Sequence, residues 1–312
     1  MELIKANRIL QFNENQVQNV RKTLGYEDVN KLKQDIEQLR DWIQKQNHFR
    51  VKEFDDNYLE RWLIINKGSI ERTKQKFDKL CTFTNLMPEF LQNFDMKNDF
   101  RALRNISHNT ILPKPTNDNY RIFITNFTGL EDKDFEMVDP FRYYILMMHY
   151  IMHNDYSLGL ILIVDFSNVT LGTVTKINPI VLSKGFNVFT EALAQRIKLF
   201  HLISGSKFFD TVVNLIKQGL SAKLKSRLMV HPNIESLYEY VPREKLPKEY
   251  GGDEMSTKEI NAAVFEELCS EDNMAKVKFM ESLATDESLR VSCKFNEEYS
   301  GIPGSFKSLC VD

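Results

Sequence analysis

The first third of the chain carries apolar residues at helical spacing, with charged residues between them. Similar patterns cover residues 58–63 and 70–80, on either side of a Gly-Ser pair that suits the end of one helix and the N-cap of the next. Pro88 closes this region, so we predict an N-terminal helical bundle over residues 1–88. The apolar positions of its clearest amphipathic helix are Leu32, Ile36, Leu39 and Ile43.

The spacing changes after a proline-containing loop at residues 113–118. Residues 120–127 and 159–166 are short, β-branched and almost continuously apolar, as buried strands are. Residues 139–156 lie between them and begin with Asp-Pro, which is a favourable helix start. The order strand, helix, strand predicts an α/β fold with parallel pairing through a crossover. The same alternation continues with a helix at 179–195, a strand at 198–203, a helix at 207–220 and a strand at 227–230.

Composition limits the functions that fit this architecture. The chain has 312 residues, 42% of them hydrophobic, and its net charge of −2 argues against bulk electrostatic binding of nucleic acid. Neither a secretory signal nor an apolar run of the about 20 residues that a bilayer span needs is visible, so we expect a cytoplasmic protein. The four cysteines are scattered without metal-binding spacing, which favours free thiols. Residues 184–227 are basic, and we predict an acidic C-terminal extension over residues 256–312.

The motifs of common α/β enzymes are missing from the sequence. It contains no phosphate-binding glycine loop, dinucleotide fingerprint, nucleophile elbow or zinc-protease helix. His149 and His153 stand four apart on a predicted helix and could share a metal ion, but the apolar residues around them favour a core position. Asp165 ends a strand, where it is either catalytic or, as we favour, a structural acceptor for backbone N–H groups. We therefore predict a protein that is not an enzyme and holds no metal or cofactor.

The predicted helix at residues 207–220 is apolar on more than one side. This profile fits either a buried crossover helix or a lid that closes over an apolar ligand. Arg196 and Lys198 precede the helix and alternate at strand spacing. Lys223 and Arg227 follow it, four residues apart, and share a helical face. These basic residues form either an ordinary solvated surface or a docking site for anionic lipid headgroups.

The segment from Gly159 to Gly252 resembles the lipid-binding domain of the CRAL-TRIO (Sec14-like) family. The resemblance rests on GLILIVDFSNVTL, on KLFHLISGSKFFDTVVNLIKQGLSAKLKSRLMVHPN and on the terminal LPKEYGGDE, in that order and spacing. It is closest to the branch that contains tocopherol and retinaldehyde carriers. It implies a lipid-binding domain over residues 89–255, in which a mostly parallel sheet floors a lipid cavity and residues 204–220 form a mobile gate helix.

The resemblance also implies a phosphoinositide-binding cleft. Its residues here are Arg196, Lys198, Lys223 and Arg227. Those relatives carry further arginines in the helix that corresponds to residues 58–67. In this chain only Arg61 matches them, Ile64 and Asn66 stand at arginine positions, and Lys67 is displaced by one residue.

The candidate cavity wall is broad, aromatic and flexible, which suits a prenyl or polyene chain better than a phospholipid. Three polar side chains, Ser183, Thr190 and Tyr143, are candidates to meet an alcohol, aldehyde or chromanol group. The apolar candidates are Tyr143, Met147, Ile151, Ile161, Ile163, Phe186, Phe189, Phe209, Val213 and Ile216.

Together these features predict a non-enzymatic intracellular carrier of one small hydrophobic lipid, such as a tocopherol, a retinoid or a carotenoid. We expect a monomer that contacts membranes peripherally and releases its ligand where phosphoinositides are present. The first alternative is a lipid-sensing regulatory or adaptor protein whose acidic extension recruits a partner. The second, a lipid-modifying enzyme, is disfavoured by the missing motifs.

Overall fold

The N-terminal part of the chain folds into helices that bury the predicted apolar stripes. The computed structural model describes residues 7–203 and 209–290, with the side chain of Phe209 left out. Three helices begin with a side-chain cap, because Asp28, Asp55 and Ser69 each accept a hydrogen bond from a first-turn N–H. The helices are α1 (Gln16–Thr23), α2 (Val29–Gln44), α3 (Asp56–Ile65), α4 (Ile70–Leu86), α5 (Pro88–Leu91) and α6 (Arg101–Ile106).

A mostly parallel sheet follows, as the sequence predicts. Within the described residues its strands are β1 (Ser107–Ile111), β2 (Tyr120–Phe127), β3 (Gly159–Asp165), β4 (Ile197–Ile203) and β5 (Leu228–His231). They lie side by side in sequence order, with β1 antiparallel to β2 and the remaining pairs parallel. A Cβ added to Gly159 would lie 2.3 Å from the carbonyl oxygen of Arg196, so only glycine allows β3 to start this close to the chain entering β4.

Helices cross over between the parallel strands. They are α7 (Asp139–Asn154), α8 (Leu171–Thr175), α9 (Pro179–Asn187), α10 (Phe209–Gly219) and α11 (Ala222–Lys225). Asn178 caps α9, which continues beyond its end as a π-helical turn, Val188–Ala192. A Cβ on Gly219 would lie 2.7 Å from the Cβ of Leu182, so α10 meets α9 at a glycine that permits close contact.

The described part of the acidic extension packs against the rest of the molecule. Helix α12 (Thr257–Leu268) begins with a capping box between Ser256 and Glu259 and lies on β1. Helix α13 (Glu271–Ser282) packs on α7. Beyond it, the carbonyl oxygen of Ala284 accepts a 3.0 Å hydrogen bond from the backbone of Arg50, which ties this segment to the N-terminal helices.

A fully buried ion pair joins the start of β2 to the loop before β3. The Arg121 guanidinium donates through Nε and Nη2 to the two oxygens of Asp155, both at 2.9 Å. It also donates to the carbonyl oxygen of Gln11 at 3.1 Å, so the segment before α1 is held to the sheet. Over residues 7–203 and 209–290, no helix is long and apolar enough to cross a membrane.

Candidate functional site

A cavity of about 120 Å³ lies between one face of the sheet and helices α7 to α10. Seven of its described wall residues are phenylalanines, and rings such as Phe141 and Phe186 meet edge to face at 5.4 Å. The wall residues are Leu103, Ser107, Asn109, Thr125, Phe127, Phe135, Met137, Pro140, Phe141, Tyr144, Leu162, Val164, Phe166, Thr173, Ile177, Leu182, Phe186, Phe189, Phe200 and Ile216. An apolar molecule gains hydrophobic transfer free energy for the surface that it buries in such a space.

Strand β3 turns Leu162 and Val164 towards the cavity. Successive side chains of a strand alternate between faces, so Ile161 and Ile163, which the sequence analysis placed in the wall, are buried on the opposite face. Both faces of this strand are covered by helices and read as continuously apolar. The hydrophobic pattern therefore identifies the strand without fixing which alternate residues meet the ligand.

Helix α7 lines the cavity only with its first two turns, through Pro140, Phe141 and Tyr144. Met147 and Ile151 continue the same helical face but are buried farther along the helix, beyond the end of the cavity. Tyr143 is also not a wall residue, because it points to another side of the helix. Its ring packs edge to face against Phe100 at 5.2 Å.

The candidate residues on α9, on α10 and on the π-helical turn lie at different places relative to the cavity. Phe186, Phe189 and Ile216 belong to its wall. Val213 is buried outside the wall, Ser183 is exposed, and Thr190 lies at a separate pocket. The side chain of Phe209 and the first part of the predicted gate, residues 204–208, lie outside the described residues.

Four polar side chains at the wall form one chain of hydrogen bonds. The hydroxyl of Ser107 donates to the carbonyl oxygen of Leu103 at 3.1 Å, and Asn109 Nδ2 donates to Ser107 Oγ at 3.0 Å. Thr125 Oγ1 lies 2.7 Å from Asn109 Oδ1 and 2.6 Å from the hydroxyl of Tyr144. Sequence reasoning missed Ser107 and Asn109, because β1 is too polar to be predicted as a strand.

A second, basic pocket of about 80 Å³ lies beside the cavity. It brings together three of the predicted headgroup residues, Arg196, Lys223 and Arg227. Helix α4 and the turn before it add cations that the sequence did not single out, apart from Lys67. The described residues of this pocket are Ile65, Lys67, Arg72, Lys76, Thr190, Glu191, Gln195, Arg196, Ile197, Ser221, Lys223, Leu224 and Arg227.

Two predicted basic residues point elsewhere. The ammonium of Lys198 pairs with Asp118 at 2.7 Å and lies 4.1 Å from the ring centre of Tyr120. A register shift between β3 and β4 lies at this point, and the guanidinium of Arg196 lies 5.6 Å from the same Tyr120 ring while Arg196 also lines the basic pocket. Arg61 donates to the carbonyl oxygen of Asp155 at 2.9 Å and does not reach the basic pocket.

Like charges face one another in the basic pocket. Partial burial lowers the pKa of Lys223, and Arg227, Arg72 and Lys67 lower it further. Burial also lowers the pKa of Lys76, although Glu191 acts in the opposite direction. Glu191 Oε2 pairs with Lys76 at 2.5 Å and Lys79 at 2.9 Å. A polyvalent anion in this pocket would relieve the repulsion and gain charge-assisted hydrogen bonds.

The His149–His153 pair and Asp165 at the end of β3 make structural contacts within the protein. His149 and His153 approach to 3.2 Å through their Nε2 atoms, and burial lowers the pKa of both rings, that of His153 to about 3. Among the described residues, no three histidine, cysteine or acidic side chains are grouped so that they could hold a metal ion. Asp165 accepts from the Ser167 backbone at 2.9 Å and from the Tyr250 hydroxyl at 3.0 Å, which confirms its role as a structural acceptor.

An apolar cavity enclosed by helices on a mostly parallel sheet, with a basic pocket beside it, defines a lipid-binding α/β domain. Comparison with known families agrees, since residues 105–252 match the CRAL/TRIO domain and residues 28–100 match the Pinta-like UBA domain. Residues 105–252, just under half of the chain, therefore form a CRAL/TRIO domain.

Known relatives share about a quarter of their residues with this chain. The alpha-tocopherol transfer protein-like protein of Mus musculus is 24% identical over 247 residues, which cover 78% of this chain and 71% of the relative. Clavesin-2 of Homo sapiens is 25% identical over 237 residues, covering 72% and 70%. The crystal structure of Sfh5 superposes with a TM-score of 0.49 and 14% identity, over 75% of this chain and 92% of that chain.

Proposed function

We propose that this protein is a non-enzymatic carrier that holds one small apolar lipid in the cavity and releases it at phosphoinositide-containing membranes. The observation that carries the proposal is the phenylalanine-rich cavity beside a pocket of converging cations. The cavity accounts for holding the lipid, at about 0.8 kcal/mol for each buried CH₂ group. The basic pocket accounts for the choice of membrane, because a phosphorylated inositol headgroup offers several negative charges to converging lysines and arginines.

The cavity, at about 120 Å³, is smaller than the about 300–1,000 Å³ of typical ligand sites, so in this proposal a lipid enters by displacing part of the wall. Helix α10 is the element that moves in this proposal. The apolar face of α10, which includes Ile216, covers the cavity, and the helix packs closely against α9 at Gly219. When α10 moves away from the sheet and α9, its apolar face is exposed. A membrane that buries this face lowers the free-energy cost of the movement.

Exposed apolar side chains surround the cavity and suit contact with a bilayer. Leu130, Leu171 and Ile180 are 61%, 56% and 61% exposed. They belong to the loop before α7, to α8 and to α9, and each of these segments also supplies wall residues. Such side chains gain free energy by entering the interfacial region of a membrane while the basic pocket meets the headgroups.

The π-helical turn Val188–Ala192 lies between the two sites. Phe189 is a wall residue of the cavity, whereas Thr190 and Glu191 line the basic pocket. In this proposal a bound headgroup competes with Glu191 for Lys76 and Lys79, which frees the turn to shift. Movement of Phe189 then loosens the wall around the lipid and couples headgroup binding to release.

Lipid transfer between vesicles tests the proposal. Donor vesicles of phosphatidylcholine carry tocopherol, retinol or β-carotene, and acceptor vesicles are prepared with and without phosphatidylinositol bisphosphate. We expect the protein to accelerate transfer of at least one of these lipids, and more strongly to the phosphoinositide acceptors. Leu171→Asp should slow transfer, whereas Leu86→Asp, equally exposed at the end of α4, should not. Absence of accelerated transfer for all three lipids would exclude the carrier function.

A further inference from the structure

The cavity wall presents carbon atoms to its ligand. Over the described residues, no nitrogen or oxygen atom of the wall is exposed to the cavity, although Ser107, Asn109, Thr125 and Tyr144 belong to it. Ser107 and Asn109 are 0% and 1% exposed. Their polar atoms lie behind the surface that a ligand would touch. The hydrogen bonds among them therefore determine whether a donor or an acceptor remains available to a ligand.

The directions of these hydrogen bonds follow from counting hydrogens. Ser107 has one hydroxyl hydrogen and uses it on the carbonyl oxygen of Leu103, so it accepts from the amide nitrogen of Asn109. This fixes the amide orientation and leaves Asn109 Oδ1 as the acceptor for the hydroxyl of Thr125. Tyr144 must then donate its hydrogen to Thr125. Each hydroxyl hydrogen of this chain is satisfied inside the wall.

The remaining polar wall residue, Thr173, belongs to the first turn of α8. Its Oγ1 accepts from Thr170 Oγ1 at 3.2 Å, within the cap of that helix. Its side chain is 5% exposed. Because no described polar atom of the wall is exposed to the cavity, a hydroxyl or carbonyl group that lies against these residues loses its hydrogen bonds to water without gaining a partner, and that loss selects against it.

Because the described wall exposes no polar atom to the cavity, we infer that the ligand is an unsaturated hydrocarbon of the isoprenoid or carotene class, rather than an alcohol such as tocopherol or retinol. The inference rests on the proposed carrier function and narrows its ligand. The phenylalanine rings favour flat, unsaturated chains, because ring faces and edges pack on planar double bonds.

Binding of three molecules with one C15 skeleton tests the inference. The dissociation constants of farnesene, farnesol and farnesal are measured with the full-length protein, and each is corrected for the transfer of that molecule from water to hexadecane. Hexadecane offers no hydrogen bonds, so a wall without available partners should give corrected constants that agree within about threefold. The uncorrected constants should rank farnesene tightest.

A corrected affinity for farnesol or farnesal more than about tenfold above that of farnesene would overturn the inference and leave the carrier function standing. Failure of all three molecules to bind would overturn the carrier function as well. Tyr144→Phe gives a second test, because it removes the hydrogen that occupies Thr125 and leaves an acceptor next to the cavity. We expect the affinity for farnesol, taken relative to that for farnesene, to rise about tenfold in this variant. An unchanged relative affinity in the folded variant would contradict the assigned hydrogen-bond directions.

Discussion

Neutralising two cations of the basic pocket should weaken membrane binding without disturbing the fold. Arg72 and Lys223 both line the pocket from exposed positions, on α4 and α11 respectively. A lysine or arginine near an anionic membrane contributes about 1 kcal/mol, so the double variant Arg72→Gln, Lys223→Gln should lose about 2 kcal/mol, or about 30-fold in affinity. The loss should shrink in high salt, where the Debye length falls to about 3 Å at 1 M.

The assay is sedimentation with vesicles that contain phosphatidylinositol bisphosphate, at about 0.1 M salt. A matched control, Lys33→Gln with Lys225→Gln, removes the same charge from exposed positions outside the pocket. If the protein recognises the headgroup in the basic pocket, the control loses much less than the pocket variant. Equal losses in the two variants would show that overall charge, and not this pocket, attracts the protein to the membrane.

Three further predictions concern stability and the closure of α10. Asp155→Asn leaves the buried Arg121 without its counter-charge, so urea denaturation should report a loss of about 3–5 kcal/mol, and a loss below about 1 kcal/mol would contradict this role. Burial lowers the pKa of His201 and of His153 to about 3, so between about pH 3 and pH 6.5 the unfolded chain binds more protons than the native one. These two histidines should lower the free energy of unfolding from pH 7.5 to 5.5 by about 1.4 kcal/mol each. Glutamine at both positions should remove that part of the fall and leave the part that comes from other buried histidines such as His149. Gly219→Ala places a methyl group against α9 and should speed dissociation of a bound lipid, measured by stopped-flow transfer to vesicles. An unchanged rate would show that close contact between α10 and α9 is not needed to retain the lipid.

The order of helices and strands could be predicted from the sequence because most elements bury continuous or periodic apolar residues. Strand β1 could not, since Ser107, His108, Asn109 and Thr110 carry polar side chains. This strand is held by hydrogen bonds to specific partners elsewhere in the chain. For example, Asn261 Oδ1 accepts a hydrogen bond from the backbone N–H of Asn109 at 2.9 Å. Such tertiary hydrogen bonds have no signature in local periodicity.

The candidate site was predictable at the level of elements and less so at the level of residues. The strand and helices of the wall follow from the pattern, but Leu162 and Ile163 are equally apolar and only the packed sheet decides which one meets the cavity. Arg72 and Lys76 join the basic pocket because α4 packs against the π-helical turn. That contact links residues more than a hundred positions apart, and charge spacing along the chain does not encode it.

The central claim is that the cavity carries a lipid, and solvent extraction of the purified full-length protein followed by mass spectrometry tests it most directly. We expect about one apolar lipid for each chain. Val164→Trp fills the cavity from β3 and should lose most of it, whereas Ser183→Trp, on the exposed side of α9, should retain it. Protein that yields no lipid, or a Val164→Trp variant that yields as much as Ser183→Trp, would contradict the account.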